Sequence, residues 1–248
     1  MTDAIEMLGD SMRADAEALR VTSQNIANVQ TPGYRSEVSV LEFESMARTA
    51  ALQPGHASHG AQASIDLAAP NVRVANDFRT GSLQQTDAPW NVALQGDGYF
   101  VLSTPSGELV TRRGDFALDS TGKLVSQDGF AVLGDGGEIK PPDGAPIIDS
   151  DGTIRVNGQM VDRLRRVTVD PTTLVSSGDS NFAPSASSSV TEGGVSTVKQ
   201  GFIETSNVTP TDQLLRLMET MRHFDMTQQF VRGASDMLNN AITTLGRT

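Results

Sequence analysis

Cysteine is absent from the 248 residues of this chain. That removes disulfides, thiolate nucleophiles and thiol metal ligands together. The compartment stays open, because a protein can be cysteine-free on either side of a membrane. Aromatic residues are scarce at 5%, Trp90 is the single tryptophan, and hydrophobic residues reach only 38%. Such values suit an elongated or thin-layered molecule better than a thick globular core. Basic residues are outnumbered, with 19 Lys and Arg against 30 Asp and Glu and a formal charge of -11. Nucleic acid and anionic bilayers both demand concentrated positive charge, so neither is expected as a partner. Long apolar runs are also missing. No window reaches the length of a bilayer span, so direct membrane insertion is not expected. Asp3, Glu6, Asp10, Asp15 and Glu17 stand where a cleaved signal peptide needs a basic start and an unbroken apolar stretch. Passage out of the cytosol is expected to use another route.

What is present is concentrated at the two ends. Ile5, Leu8, Met12, Asp15, Leu19, Thr22, Ile26 and Val29 follow one another at steps of three and four. Leu214, Leu217, Met221, Phe224, Gln228, Val231, Ser235, Leu238, Ile242 and Leu245 do the same near the C-terminus. Such steps place residues on one side of a helix, and their mean of 3.5 is the coiled-coil repeat. Neither helix carries a convincing apolar face on its other side, so each needs a partner for one seam. Thr31-Pro32-Gly33 stops the first helix, since the residue before proline leaves helical space and glycine frees the next dihedral. Thr209 caps the second, with Pro210 at its first position and Gly246 past its end. Gly233 falls off the seam and is expected to be tolerated there.

Between the helices the chain reads as β structure. Residues from Tyr34 to about Thr80 look extended and irregular, with short strands at Val38, Val40 and Ile65, Leu67 and a mobile loop from Leu52 to Ala63. Gly96-Asp97-Gly98, Ser106-Gly107, Ser120-Thr121-Gly122, Asp128-Gly129, Asp135-Gly136-Gly137, Asp151-Gly152 and Asn157-Gly158 then punctuate apolar stretches. Asp-Gly and Asn-Gly accept positive φ and signal hairpins. The turns come too close together for crossover helices, so a meander of antiparallel strands is expected. The resulting fold class is mixed: long N- and C-terminal helices forming a coiled-coil-like layer, with an inserted, mainly antiparallel β domain. The divisions are a helix and turn over 1–33, an extended linker over 34–80, the β domain over 81–175, a return segment over 176–208 and a helix over 209–248.

Chemical signatures fail on inspection. Gly96-Asp97-Gly98 lacks the third glycine of a dinucleotide fingerprint, and a strand follows where a helix is required. Asp149-Ser150-Asp151-Gly152 is a fragment of a calcium loop, but Arg155 stands where acids are needed. His56, His59 and His223 are too few and too scattered for zinc. No serine sits in a nucleophile elbow. The chain is read as non-enzymatic, with no catalytic residue, metal or cofactor.

Three ordered blocks carry a resemblance. The first is Asn25-Ile26-Ala27-Asn28-Val29-Gln30-Thr31-Pro32-Gly33-Tyr34-Arg35. The second runs from Trp90-Asn91-Val92-Ala93-Leu94-Gln95-Gly96-Asp97-Gly98-Tyr99-Phe100 through Thr111-Arg112-Arg113-Gly114-Asp115-Phe116. The third is Gly201-Phe202-Ile203-Glu204-Thr205-Ser206-Asn207-Val208. Together they resemble the bacterial flagellar rod and hook proteins over nearly the whole chain. Asn207-Val208-Thr209-Pro210 and Met221-Arg222-His223-Phe224 are more similar to the proximal rod branch than to the distal one. Trp90 departs from the smaller aliphatic usual at its position.

The resemblance implies an axial structural subunit of the basal body whose helices pack in an inner coiled-coil layer. It implies export by the flagellar secretion apparatus and torque transmission across the periplasm from motor to hook. Its implied partners are other rod proteins, the distal rod protein and neighbouring proximal rod subunits among them. Ile5, Leu8, Met12, Leu19, Ile26, Leu214, Leu217, Met221, Phe224, Val231, Leu238, Ile242 and Leu245 are then assembly-seam candidates. Asn28, Pro32, Gly33, Gly96, Asp97, Gly98, Ser206 and Asn207 are the motif turns. The rival reading from another class is a surface adhesin or binding module, for which Trp90, Tyr99 and Phe100 could line a site.

Overall fold

A computed structural model of the protein describes residues 2–42, 71–185, 188–193 and 196–245. The loop expected from Leu52 to Ala63 and the strand at Ile65 and Leu67 lie outside the described residues. So do the side chains of Ile5, Leu238, Ile242 and Leu245. The chain forms two compact units. One holds Met1–Gln24, Glu37–Ala75 and Thr211–Thr248; the other holds Asn25–Ser36 and Asn76–Pro210.

Helix α1 spans Thr2–Ala27 and helix α2 spans Pro210–Leu245. Beside them in the first unit, β1 (Glu37–Glu42) pairs with β2 (Asn71–Asn76). The helices follow the periodicity, but their surfaces do not follow the expected seam. Leu214 and Met221 are 49% and 51% exposed. Leu217, Phe224 and Val231 are half-buried, and among the described side chains of α2 Thr227 is the buried one. In α1, Val21, Thr22 and Asn25 are buried, while Leu8, Met12, Leu19 and Ile26 are half-buried. The other side of α2 is not polar either: Leu215, Met218, Met226, Phe230 and Met237 are all exposed.

The expected coiled-coil layer is therefore corrected. Among the described residues the protein has one helix at each end and a large antiparallel β region, with no long coiled-coil layer. A three-four stripe says only that one side of a helix is apolar. A coiled coil also needs those side chains to interlock with a partner helix along its length, and polar residues in the stripe weaken that packing. Asp15 and Thr22 interrupt α1, and Gln228 and Ser235 interrupt α2.

The second unit is built of strands. In chain order these are β3 (Leu83–Gln85), β4 (Val92–Gln95), β5 (Tyr99–Thr104), β6 (Gly107–Thr111), β7 (Ala117–Leu118), β8 (Leu124–Val125), β9 (Ala131–Gly134) and β10 (Gly137–Glu138). There follow β11 (Pro146–Ile148), β12 (Thr153–Val156), β13 (Gln159–Arg163), β14 (Arg166–Thr168), β15 (Leu174–Ser176) and β16 (Asn181–Pro184). The last are β17 (Thr191–Glu192), β18 (Thr197–Gln200) and β19 (Phe202–Glu204). The largest sheet has the order β15-β16-β6-β5-β9-β8-β7, with β14 also on β5. A three-stranded sheet runs β11-β12-β13, and β4 pairs with β18 as β3 pairs with β19.

Strand β5 organises the interior. Its unbroken apolar run is buried on both faces, as a central strand requires. Phe100 and Leu102 enter one cluster with Val92, Leu124, Val132, Ile154 and Val198. Tyr99 and Val101 enter the opposite one with Val110, Val167 and Phe182. Edge-on ring contacts fix both sides, Phe100 to Phe116 at 5.3 Å between centroids and Tyr99 to Phe182 at 6.4 Å. Splitting the apolar residues between two faces of one strand lets a chain poor in aromatics fill two thin layers.

Most turns close hairpins. Asn157 and Gly158 both have positive φ, 53° and 81°, joining β12 to β13 through the two-residue turn their types favour. Gly96-Asp97-Gly98 is the exception. It joins β4 to β5, which do not pair: β4 lies on β18, and β5 lies between β6, β9 and β14. An Asp-Gly turn permits the reversal but does not choose the partner strand.

Candidate functional site

The three motif blocks, far apart in the chain, meet at one place in the second unit. There the segment leaving α1, the segment entering α2 and the start of the β region are tied together. Glu204, the last residue of β19, sits at the centre with 1% exposure. Its carboxylate accepts from Arg35 Nη2 at 2.7 Å and from the Gly81 backbone N–H at 2.9 Å, and meets Arg112 Nη1 at 3.4 Å. Its backbone carbonyl accepts from the Gly33 N–H at 2.8 Å. One residue thus binds the post-helix turn, the arginine just after β6 and the segment just before β3.

Burying a carboxylate costs several kcal/mol unless charges and donors compensate it. Here two guanidiniums and a backbone N–H do so. Burial pushes the Arg112 pKa down, while Glu204 works to raise it and the neighbouring Arg35 to lower it. Arg112 donates its Nη2 to the Gly96 carbonyl at 2.8 Å and lies over the Tyr99 ring at 5.2 Å. The burial that covers Tyr99 also raises its hydroxyl pKa. For Arg113, burial opposes the charge, but bonds to Asp115 at 3.0 and 3.1 Å and the charges of Asp128 and Asp179 outweigh it and raise the pKa.

Close backbone approach explains the glycines. A Cβ on Gly33, whose φ is +66°, would lie 2.6 Å from the Arg113 nitrogen. One on Gly81 would lie 1.9 Å from the Thr205 carbonyl oxygen. Asn207 is the second tie. Its Oδ1 accepts from the Ser36 N–H at 2.8 Å, and its Nδ2 donates to the Asp77 and Arg79 carbonyls at 2.8 and 3.0 Å. Tyr34 donates its hydroxyl to Asn25 Oδ1 at 3.2 Å, bracing the end of α1.

Of the motif turns, Gly33, Gly96 and Asn207 take part in this junction, Asn28 and Pro32 stand in the turn just before Gly33, and Gly98 lies against Ser196 and Val167. Thr31 donates its N–H to the Asn28 carbonyl, and the Ser206 hydroxyl accepts from the Val208 N–H at 3.2 Å. Asp97 is exposed at the tip of its turn. Arg35, Arg112 and Glu204 lie within the motif blocks but were not singled out as a site, and Gly81 lies outside all three blocks. A charged residue inside each block was the available signal; their convergence needed the fold. Trp90 packs half-buried on the core while Tyr99 and Phe100 are buried, so they line no aromatic binding site.

Residues 93–161 match the model of the flagellar hook protein FlgE/F/G D1 domain, and residues 199–244 match that of the flagellar basal body rod FlgEFG protein C-terminal region. A flagellar basal-body rod protein FlgF from Mesorhizobium japonicum is 31% identical over 251 residues, covering 99% of this chain and 99% of its own. The chain belongs to the flagellar rod and hook protein family. Similarity extends to an FlgF of Caulobacter vibrioides, 28% identical over 92% of both chains. An FlgG of Bacillus subtilis is 29% identical over 90% of this chain and 92% of its own. Identity and coverage are thus higher with the first FlgF than with this FlgG. The rod family is structural rather than enzymatic.

Proposed function

We propose that the protein is a structural subunit of the bacterial flagellar basal-body rod, placed at the proximal position and transmitting torque from motor to hook across the periplasm. The observation that carries this reading is similarity to a rod protein over nearly the full length of both chains. At the level of residues the Glu204 junction makes the link: it holds the segments leading out of α1 and into α2 on the β region by buried, charge-assisted bonds. The partners are other rod proteins, the distal rod protein and neighbouring proximal subunits among them, and delivery is by the flagellar export apparatus. The half-covered stripes of α1 and α2, from Leu8, Met12, Leu19 and Ile26 to Leu214, Leu217, Met221, Phe224 and Val231, are the assembly contacts. Their exposure in the single chain leaves apolar surface for neighbours.

Fractionation of basal bodies tests the reading. An affinity-tagged chain that supports swimming is expected to stay with the rod after the rings are stripped away. Recovery of the tag only in the cytoplasm or on the cell surface would refute it, and surface recovery would favour an adhesin.

A further inference from the structure

The stripe of α1 has one charged member. Asp15 follows Leu8 and Met12 and precedes Leu19, so it stands on the apolar side of the helix. Its side chain is 14% exposed, and its Oδ2 lies 2.7 Å from Nδ1 of His223 on α2, whose side chain is 55% exposed. The neighbours of Asp15 one turn away on α1 are Ser11, Met12, Ala18 and Leu19, none of them cationic. The nearby arginines of α1 are engaged elsewhere, Arg13 with Asp10 and Arg20 with Glu17. A mostly covered carboxylate on an apolar stripe is unfavourable unless a partner meets it.

Only a narrow range of helix placements supplies that partner. Moving α2 by one turn would set Glu219 and Thr220, or Met226 and Thr227, against Asp15 in place of His223. Glu219 repels it, and Met226 offers it no hydrogen bond. Glu219 and Arg222 flank His223 on its own helix, and Asp15 is the group that faces it from α1.

We infer that the Asp15–His223 contact is a polar pin that sets where along α1 the C-terminal helix meets it. The pin needs no continuous seam. A single polar pair among apolar contacts can select one register because the misaligned states bury a lone charge.

The native absence of cysteine makes the test direct. Cysteines at the exposed positions Met7 and Gln229 of the full chain would carry spin labels for a distance measurement. The parent is expected to give one narrow distance distribution. Asp15→Leu removes the charge and completes the apolar stripe, so the helices keep a reason to associate but lose the pin. Its distribution is expected to spread, with populations displaced by about one turn, roughly 5.4 Å. Asp15→Asn keeps an oxygen for the imidazole and is expected to retain the narrow distribution. A distribution as narrow in Asp15→Leu as in the parent would overturn the inference, as would equal broadening in Asp15→Asn and Asp15→Leu.

Discussion

Glu204 shows how one residue can hold three chain segments. Removing its charge strands two buried guanidiniums, and breaking a buried pair in this way costs about 3–5 kcal/mol. Glu204→Gln should therefore lower the urea midpoint of the β region, read through the single, half-buried Trp90. Adding Arg35→Met should recover part of the loss, since one unmatched charge is then gone. Additive losses in the double variant would contradict the network. Bonding to Arg79 lowers the Asp77 pKa, and backbone N–H bonds from Lys123, Thr153 and Thr172 lower those of Asp119, Asp151 and Asp170. A folded-state value below the unfolded one gives stability that is complete above the unfolded carboxylate range, about 4, and is lost as pH falls through the folded values. Melting temperature should thus be flat from neutral pH down to about pH 5 and fall below about pH 4. Asp77→Asn should make that fall shallower; an unchanged acid slope would show that Asp77 contributes nothing.

At the scale of elements, the helices were the most legible part of the sequence. Periodicity, the Thr31-Pro32-Gly33 stop and the Thr209-Pro210 start place them, because each signal is local chemistry. Their coverage was not legible, since Leu214 and Leu217 read alike as stripe residues yet only Leu217 is half-covered. The hairpin turns were legible for the same local reason, whereas the non-pairing of β4 and β5 depends on β18, about a hundred residues downstream. The same limit hid the junction: Arg35, Arg112 and Glu204 meet only after the sheets form. Two substitutions test α2. A Cβ on Gly233 meets nothing within 4 Å, so Gly233→Ala should raise helix stability by about 1 kcal/mol and leave motility intact. Lost motility with raised helicity would show that a neighbour approaches that glycine closely. Leu217→Asp should be exported but fail to stay in the rod, because assembly would bury an unpaired carboxylate. Normal incorporation would remove Leu217 from the contact surface.

For the whole molecule, the account separates a β region with its own interior from ends that leave apolar surface for assembly. Deleting residues 209–248 should leave a folded β region, because β18 and β19 are retained to pair with β4 and β3. It should also abolish swimming, and swimming by the truncated chain would take assembly away from α2. The claim at the centre is that this chain is a segment of the rod. Density maps of basal bodies from parent cells and from cells lacking the gene test it most directly. The account predicts density matching the β region in the parent rod, and a rod that ends short and bears no hook in its absence. A complete rod and hook without the protein would contradict it.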